Sequence, residues 1–245
     1  MKEKLEKIYN KSSNEYYKLL KSHLKKENKV FIITANPEII MHSENDKEIE
    51  EIFNDETISI VPDGIAVVKA ARMVGNNVVE RITGVDIAEK LFEYCNELKK
   101  SLYLFGAKQE VIDAIKDVID NKYPNIKLLG TTNGYVKDKD SIMKKISKLK
   151  PDVVMVALGV PSQEKLIYKH LDEFKKGIFI GVGGSFDVLS GIKKRAPKLF
   201  IKTNTEWLYR IICEPKRLKR FWNNNVKFII KVKNLNIKNK EVKND

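Results

Sequence analysis

Six short runs in which nearly every residue is apolar, at 30–33, 58–61, 102–105, 126–129, 153–157 and 178–182, constrain this chain more than any other feature. Each run closes on a polar or glycine-containing turn. A strand with one wet face alternates apolar and polar residues, so continuous runs of this length predict strands buried on both faces. Helix-forming stretches separate most of the runs, including 65–73 and 108–122. Strands alternating with helices predict an α/β fold: a mainly parallel, Rossmann-like sheet with helices on both faces. A charged helical segment at 2–27 precedes the first strand. The α/β domain is expected over 1–197, followed by a basic C-terminal helical appendage over 198–245.

An open parallel sheet binds ligands beyond the carboxyl ends of its strands. In this chain those ends carry Thr34 and Asn36, Asp63, Gln163 and Glu164, and the stretch from Gly183 to Asp187, so one crevice should collect them. Asp63, between Pro62 and Gly64, has two readings. Desolvation at a strand end would raise its proton affinity and suit it to general-base work, or it caps the helix that follows. Arg81 is either a cation of the same crevice or an exposed or salt-bridged arginine. Asp187 either orients a sugar hydroxyl or caps the turn after Gly181, Gly183 and Gly184, where backbone can approach a phosphate or a sugar closely.

Charge singles out the end of the chain. Of a formal net charge of +13, residues 193–245 contribute +12, from 16 Lys or Arg against 4 Asp or Glu. Four of the six arginines, Arg195, Arg210, Arg217 and Arg220, lie there. Arginine grips phosphate through a planar fork, so an anionic ligand is expected between the glycine turn and this segment. The last residues, 231–245, read as a solvated basic tail.

Several classes drop out. No apolar stretch approaches the ~20 residues of a membrane span, and the N-terminus lacks the apolar core of a secretion signal, which predicts a cytoplasmic location. Neither a dinucleotide fingerprint nor a Walker lysine follows the glycines, which argues against a dehydrogenase or a P-loop enzyme. Cys95 and Cys213 read as structural thiols, with neither disulfide nor zinc indicated. Asp138 and Asp140 form a D-x-D in a lysine-rich surface stretch, a weak metal signal. His42 and His170 are expected on helix surfaces. A nucleic-acid partner would explain the basic tail but not the nearly neutral domain before it, and none is expected.

The sequences PDG at 62–64, ERITGVD at 80–86, LGVPSQE at 158–164, GVGGSFDVLSG at 181–191, RAP at 195–197 and EWLYRIICEPKRLKR at 206–220 together resemble the bacterial WecG/TagA/CpsF glycosyltransferases. The resemblance runs from about Val30 to Trp222, with the motifs in consistent order. It implies a metal-independent, inverting transfer, without a cofactor, from a UDP-sugar donor to an undecaprenyl-diphosphate-linked sugar acceptor at the inner face of the cell membrane. The best-understood members add N-acetylmannosamine to lipid-linked N-acetylglucosamine, making the linkage unit of wall teichoic acid. N-acetylmannosaminuronic acid, glucuronic acid and glucose are alternative donors. An acidic donor would want a spare cation, for which Lys69, Arg72 and Lys194 are candidates.

The resemblance also assigns positions. Asp63 matches the family's proposed base, and Thr34 and Asn36 match a turn that would contact the reacting sugars. Arg81, Gln163 and Asp187 would line the donor pocket. Arg210, Arg217 and Arg220 would neutralise the departing diphosphate. With Trp207, Leu208, Ile211, Ile212, Leu218, Phe221 and Trp222 beside it, the basic segment suits peripheral attachment to an anionic membrane surface. Residues 1–29 depart from the family pattern, which leaves any dimer contact made there, and a homo-oligomeric state, open.

Overall fold

A computed structural model describes residues 1–241, except for the side chains of Arg217, Arg220 and residues 236–241. The six predicted strands are present: β1 (Lys29–Ala35), β2 (Ile58–Pro62), β3 (Ser101–Gly106), β4 (Lys127–Thr132), β5 (Val153–Ala157) and β6 (Gly177–Gly181). They form one sheet in the order β2-β1-β6-β5-β3-β4, and all five pairings are parallel. The fold class is α/β, with helices on both sheet faces and a helical C-terminal part.

The continuous apolar runs have the cause inferred from them. Alternate residues of one strand enter two separate cores. Phe31, Ile33, Val154, Val156 and Phe179 face one core, and Ile32, Met155, Ile178 and Ile180 the other. The first core is closed by α1 (Lys2–Glu6), α3 (Pro37–His42), α4 (Lys47–Asn54), α5 (Ile65–Met73), α8 (Lys139–Leu149) and α9 (Ser162–His170). The second is closed by α2 (Ser13–Lys26), α6 (Gly84–Leu98), α7 (Gln109–Lys122) and α10 (Ser185–Leu189). The charged segment at 2–27 is thus two helices, not one. A reciprocal Ser12–Glu15 capping box starts the second of them.

The C-terminal part consists of α11 (Lys198–Lys202), α12 (Glu206–Cys213), α13 (Arg217–Phe221), a π-turn (Trp222–Val226) and α14 (Lys227–Glu241). Here the structure corrects the reading of 231–245 as a solvated tail, as far as its residues are described. Helix α14 lays Phe228 and Val232, both essentially buried, into the first core. Lys231 reaches Glu44 at 3.1 Å, where Lys4 already sits at 3.0 Å. Burial would raise the Glu44 carboxyl, but the Met1 ammonium at 3.0 Å, Lys4 and Lys231 together hold it down at about 2. An apolar pair four residues apart in a lysine-rich stretch escaped notice because the flanking charges dominate its average hydropathy.

Candidate active site

Asp63 leaves β2 at its carboxyl end, its N–H donating to the Ala35 carbonyl of β1 at 2.8 Å. Helix α5 starts two residues later with Gly64 as N-cap and no side-chain capping bond, so Asp63 does not cap it. Gly64 has φ +110°, a conformation that strains any other residue and turns the chain away from the carboxylate. The segment after α5 returns beside the strand end, where Ile82 N–H donates to Pro62 O at 2.8 Å. That contact brings Arg81 and the start of α6 to Asp63. Gly84, the first residue of α6, directs its N–H at Asp63 Oδ2, 3.4 Å away.

Thr34 joins the same place from β1, and Ser185 from α10. A methyl group built on Gly84 would lie 3.5 Å from Thr34 Cγ2 and 3.6 Å from Ser185 Oγ, ordinary contact distances that place these side chains next to the glycine.

Two arginines and a glutamate complete the centre. Arg81 Nη2 donates to Glu206 Oε2 at 3.1 Å, and Arg210 Nη2 donates to Glu206 Oε1. Glu206 opens α12 and is only 4% exposed. Burial pushes the Asp63 carboxyl above its ordinary range. Arg81, Arg210 and the Gly84 N–H pull it back, and Glu206 adds to the rise. Asp63 is therefore a carboxylate of enhanced basicity with cationic groups beside it.

The other expected residues are placed differently. Asn36 Oδ1 accepts from Ile39 N–H at 3.1 Å and caps α3. Gln163 is buried with both ends of its amide engaged: Oε1 accepts from Gly159 N–H at 3.2 Å and Gly183 N–H at 3.1 Å, while Nε2 donates to Glu164 at 2.7 Å. It shapes the glycine turn after β6 instead of offering a free amide. Asp187 pairs with Lys193 at 3.2 Å and does not cap α10, whose N-cap is Gly184. The side chains of Arg217 and Arg220 lie outside the described residues. Arg72 gives its guanidinium to the carbonyls of Val78 and Val79, and Lys69 and Lys194 are exposed.

His170 contradicts its surface assignment. It is 2% exposed, and its ring nitrogens face Asp140 at 2.6 Å and Glu173 at 2.7 Å. Asp138 caps α8, while Asp140, which also pairs with Lys169 at 2.8 Å, joins α8 to α9. Cys95 is buried and Cys213 exposed. Among the described residues no helix is long and apolar enough to cross a membrane.

Sequence reasoning passed over Glu206 and Gly84. A signal existed for Glu206, which stands four residues before Arg210 on a helix, the spacing of a facing ion pair. Nothing local could indicate Arg81, 125 residues away in sequence.

An open parallel α/β sheet with a basic carboxylate and two arginines at its carboxyl edge belongs, with the sequence match that follows, to a sugar-transferring enzyme. The glycosyl transferase WecG/TagA/CpsF family model matches residues 6–241, and the chain is a member of that family and a glycosyltransferase. It is 43% identical to the N-acetylglucosaminyldiphosphoundecaprenol N-acetyl-beta-D-mannosaminyltransferase of Bacillus subtilis (strain 168), over 77% of this chain and 73% of that protein. The proteins of the same name from Bacillus spizizenii (strain ATCC 23059 / NRRL B-14472 / W23) and Staphylococcus aureus (strain NCTC 8325 / PS 47) are 37% and 36% identical. These matches cover 81% and 79% of this chain, and 77% and 76% of the relatives.

Proposed function

We propose that this protein transfers N-acetylmannosamine from UDP-N-acetylmannosamine to undecaprenyl-diphosphate-linked N-acetylglucosamine, with inversion and without a metal, in making the teichoic acid linkage unit. The names of its relatives support the acceptor and the transferred sugar. The observation that carries the chemistry is Asp63, a carboxylate of raised proton affinity flanked by Arg81 and Arg210. In a single displacement Asp63 takes the proton of the acceptor hydroxyl, and the hydroxyl oxygen bonds to the anomeric carbon. The bond from that carbon to the phosphate oxygen breaks, and UDP departs with the electron pair. Arg81 and Arg210 face the growing negative charge, in a site where protein dipoles and charges act with less screening than in water. Thr34 and Ser185 lie beside Gly84, whose N–H faces the base.

Attachment to an anionic membrane surface is part of the same reading. Leu199, Ile212, Leu218 and Trp222 are between 54% and 70% exposed, and Trp207 stacks on Phe221 with ring centroids 4.5 Å apart. Exposed Lys198, Lys202, Lys216 and Lys219 lie among them in the chain. Apolar side chains interleaved with cations suit the boundary between headgroups and acyl chains.

The test is UDP release from UDP-N-acetylmannosamine with a short-chain lipid-diphosphate-N-acetylglucosamine acceptor and EDTA present. Turnover should persist in EDTA, and Asp63→Asn should lower it by about 10² to 10⁴, the usual contribution of a general base. Activity only with another UDP-sugar would replace the donor. Abolition by EDTA would remove metal independence, and near-normal turnover of Asp63→Asn would remove the base.

A further inference from the structure

Glu206 is a buried carboxylate with both oxygens engaged by cations from different parts of the fold, one on the segment before α6 and one a turn further along α12. A buried charge is costly unless it is paired, and here the pairing is complete. Two guanidinium groups brought together without it would repel each other and splay. Asp63 lies in the same field, faced by Arg81 and Arg210, by the Gly84 N–H from the start of α6, and by Glu206 itself.

We propose that Glu206 is a positioning residue of the transfer reaction: it clamps Arg81 and Arg210 into one cationic pair beside Asp63 and sets the charge of that centre. The inference rests on the base and leaving-group roles proposed above. The charge count shows what the clamp accomplishes. Arg81, Arg210, Glu206 and ionised Asp63 sum to zero, so the resting centre does not hold an excess of positive charge that would suppress the base. When Asp63 takes the acceptor proton the centre becomes +1, while the diphosphate leaving group gains its extra negative charge. Without Glu206 the centre would start at +1, stabilising ionised Asp63 and making it a weaker base.

Glu206→Gln keeps the size and one acceptor but removes the charge; Glu206→Asp keeps the charge but shortens the reach. In Glu206→Gln the acid limb of the rate–pH profile should move to lower pH, on the order of one pH unit, because a charge that raised the proton affinity of Asp63 is gone. Its kcat/KM at neutral pH should fall by about 10² as the arginines lose their common anchor. Glu206→Asp should lose turnover and keep the position of the limb. Loss of activity in Glu206→Gln with the limb unmoved would mean a merely structural residue, and full activity in either variant would overturn the clamp. If Glu206→Gln does not fold, Glu206→Leu, uncharged and of similar volume, takes its place and should move the limb downward in the same way; an unmoved limb there would overturn the clamp. A carboxyl ¹³C NMR titration of Asp63 without substrate provides a separate readout. It should show the same downward movement in Glu206→Gln whether or not the proposed donor is turned over, so failure of the donor assignment stays distinguishable from failure of the clamp.

Discussion

Glu164, the third residue of α9 and next to Gln163, is a carboxyl with nowhere to put a charge. It is 4% exposed, its Oε1 accepts a bond from Gln163, and its Oε2 has no hydrogen-bond partner among the described residues. Burial pushes it up to about 7 from an ordinary 4.5, more strongly than the Gln163 bond lowers it. The sign of the consequence follows from which state binds the proton. The folded state holds it up to about pH 7 and the unfolded chain releases it above about 4.5, so the folded form is favoured at acid pH and loses that advantage as pH rises through 7. Between pH 5 and pH 8 the two titrations differ by about 2.5 kcal/mol, a figure that relaxation or water entry would reduce. Glu164→Gln imitates the protonated form at every pH. It should exceed the wild type in stability by about 1 kcal/mol near pH 5 and by about 3.5 kcal/mol at pH 8, a widening of about 2.5 kcal/mol. For a chain of this length that corresponds to a gap of roughly 5 to 10 °C in Tm. Urea unfolding at the two pH values, with thermal melts beside it, measures the gap. A difference between the two proteins that is the same at pH 5 and pH 8 would refute the reasoning, because it would place the ionisation of Glu164 outside the folding equilibrium.

Three further outcomes are expected. A methyl group on Gly181 would lie 2.5 Å from Gln163 Nε2 and 2.9 Å from Glu164 Oε1, both held by hydrogen bonds. Gly181→Ala should therefore displace the amide that organises the turn at Gly183 and cost about 1 to 3 kcal/mol in urea unfolding. Phe228→Ala, which empties a fully buried site under α14, should cost about 3 kcal/mol and speed proteolysis within residues 222–226; unchanged cleavage would mean that α14 is held by its other contacts. Replacing the exposed Leu199, Ile212 and Trp222 by Ser should leave the melting temperature in place and weaken co-sedimentation with anionic vesicles, and undiminished co-sedimentation would move the membrane surface elsewhere.

Much of the architecture was legible because it depends on local pattern. Continuous apolar runs between helices imply strands buried on two faces, and every pairing is indeed parallel. The turn at Pro62-Asp63-Gly64 placed a carboxylate at a strand end, and the ordered motifs from PDG to EWLYR pointed to the family that the comparisons establish. Local pattern also misled. His170 and the stretch from Lys231 looked solvated because their neighbours in sequence are charged, yet partners from other elements bury them: Asp140 and Glu173 for the histidine, and the first core for Val232.

The tertiary structure alone decided who meets whom. Periodicity says that a residue is buried, but not against what, since the partner depends on the order of strands in the sheet. The order β2-β1-β6-β5-β3-β4 sets the ends of β1 and β6 side by side, so Thr34 and Ser185 come to flank Gly84. Whether Asp63 capped a helix or stood free as a base was undecidable from the residue and its two neighbours. The fold removed the first reading by giving the cap to Gly64, and it brought Arg81, Arg210 and Glu206 to the carboxylate, on which the proposal of a base rests. The sequence by itself determined the strands, their two-sided burial and the chemistry available at their ends. Only the packed chain determined which charges meet: Arg81 and half-exposed Arg210 converge on buried Glu206, and burial of Asp63 beside them raises its proton affinity.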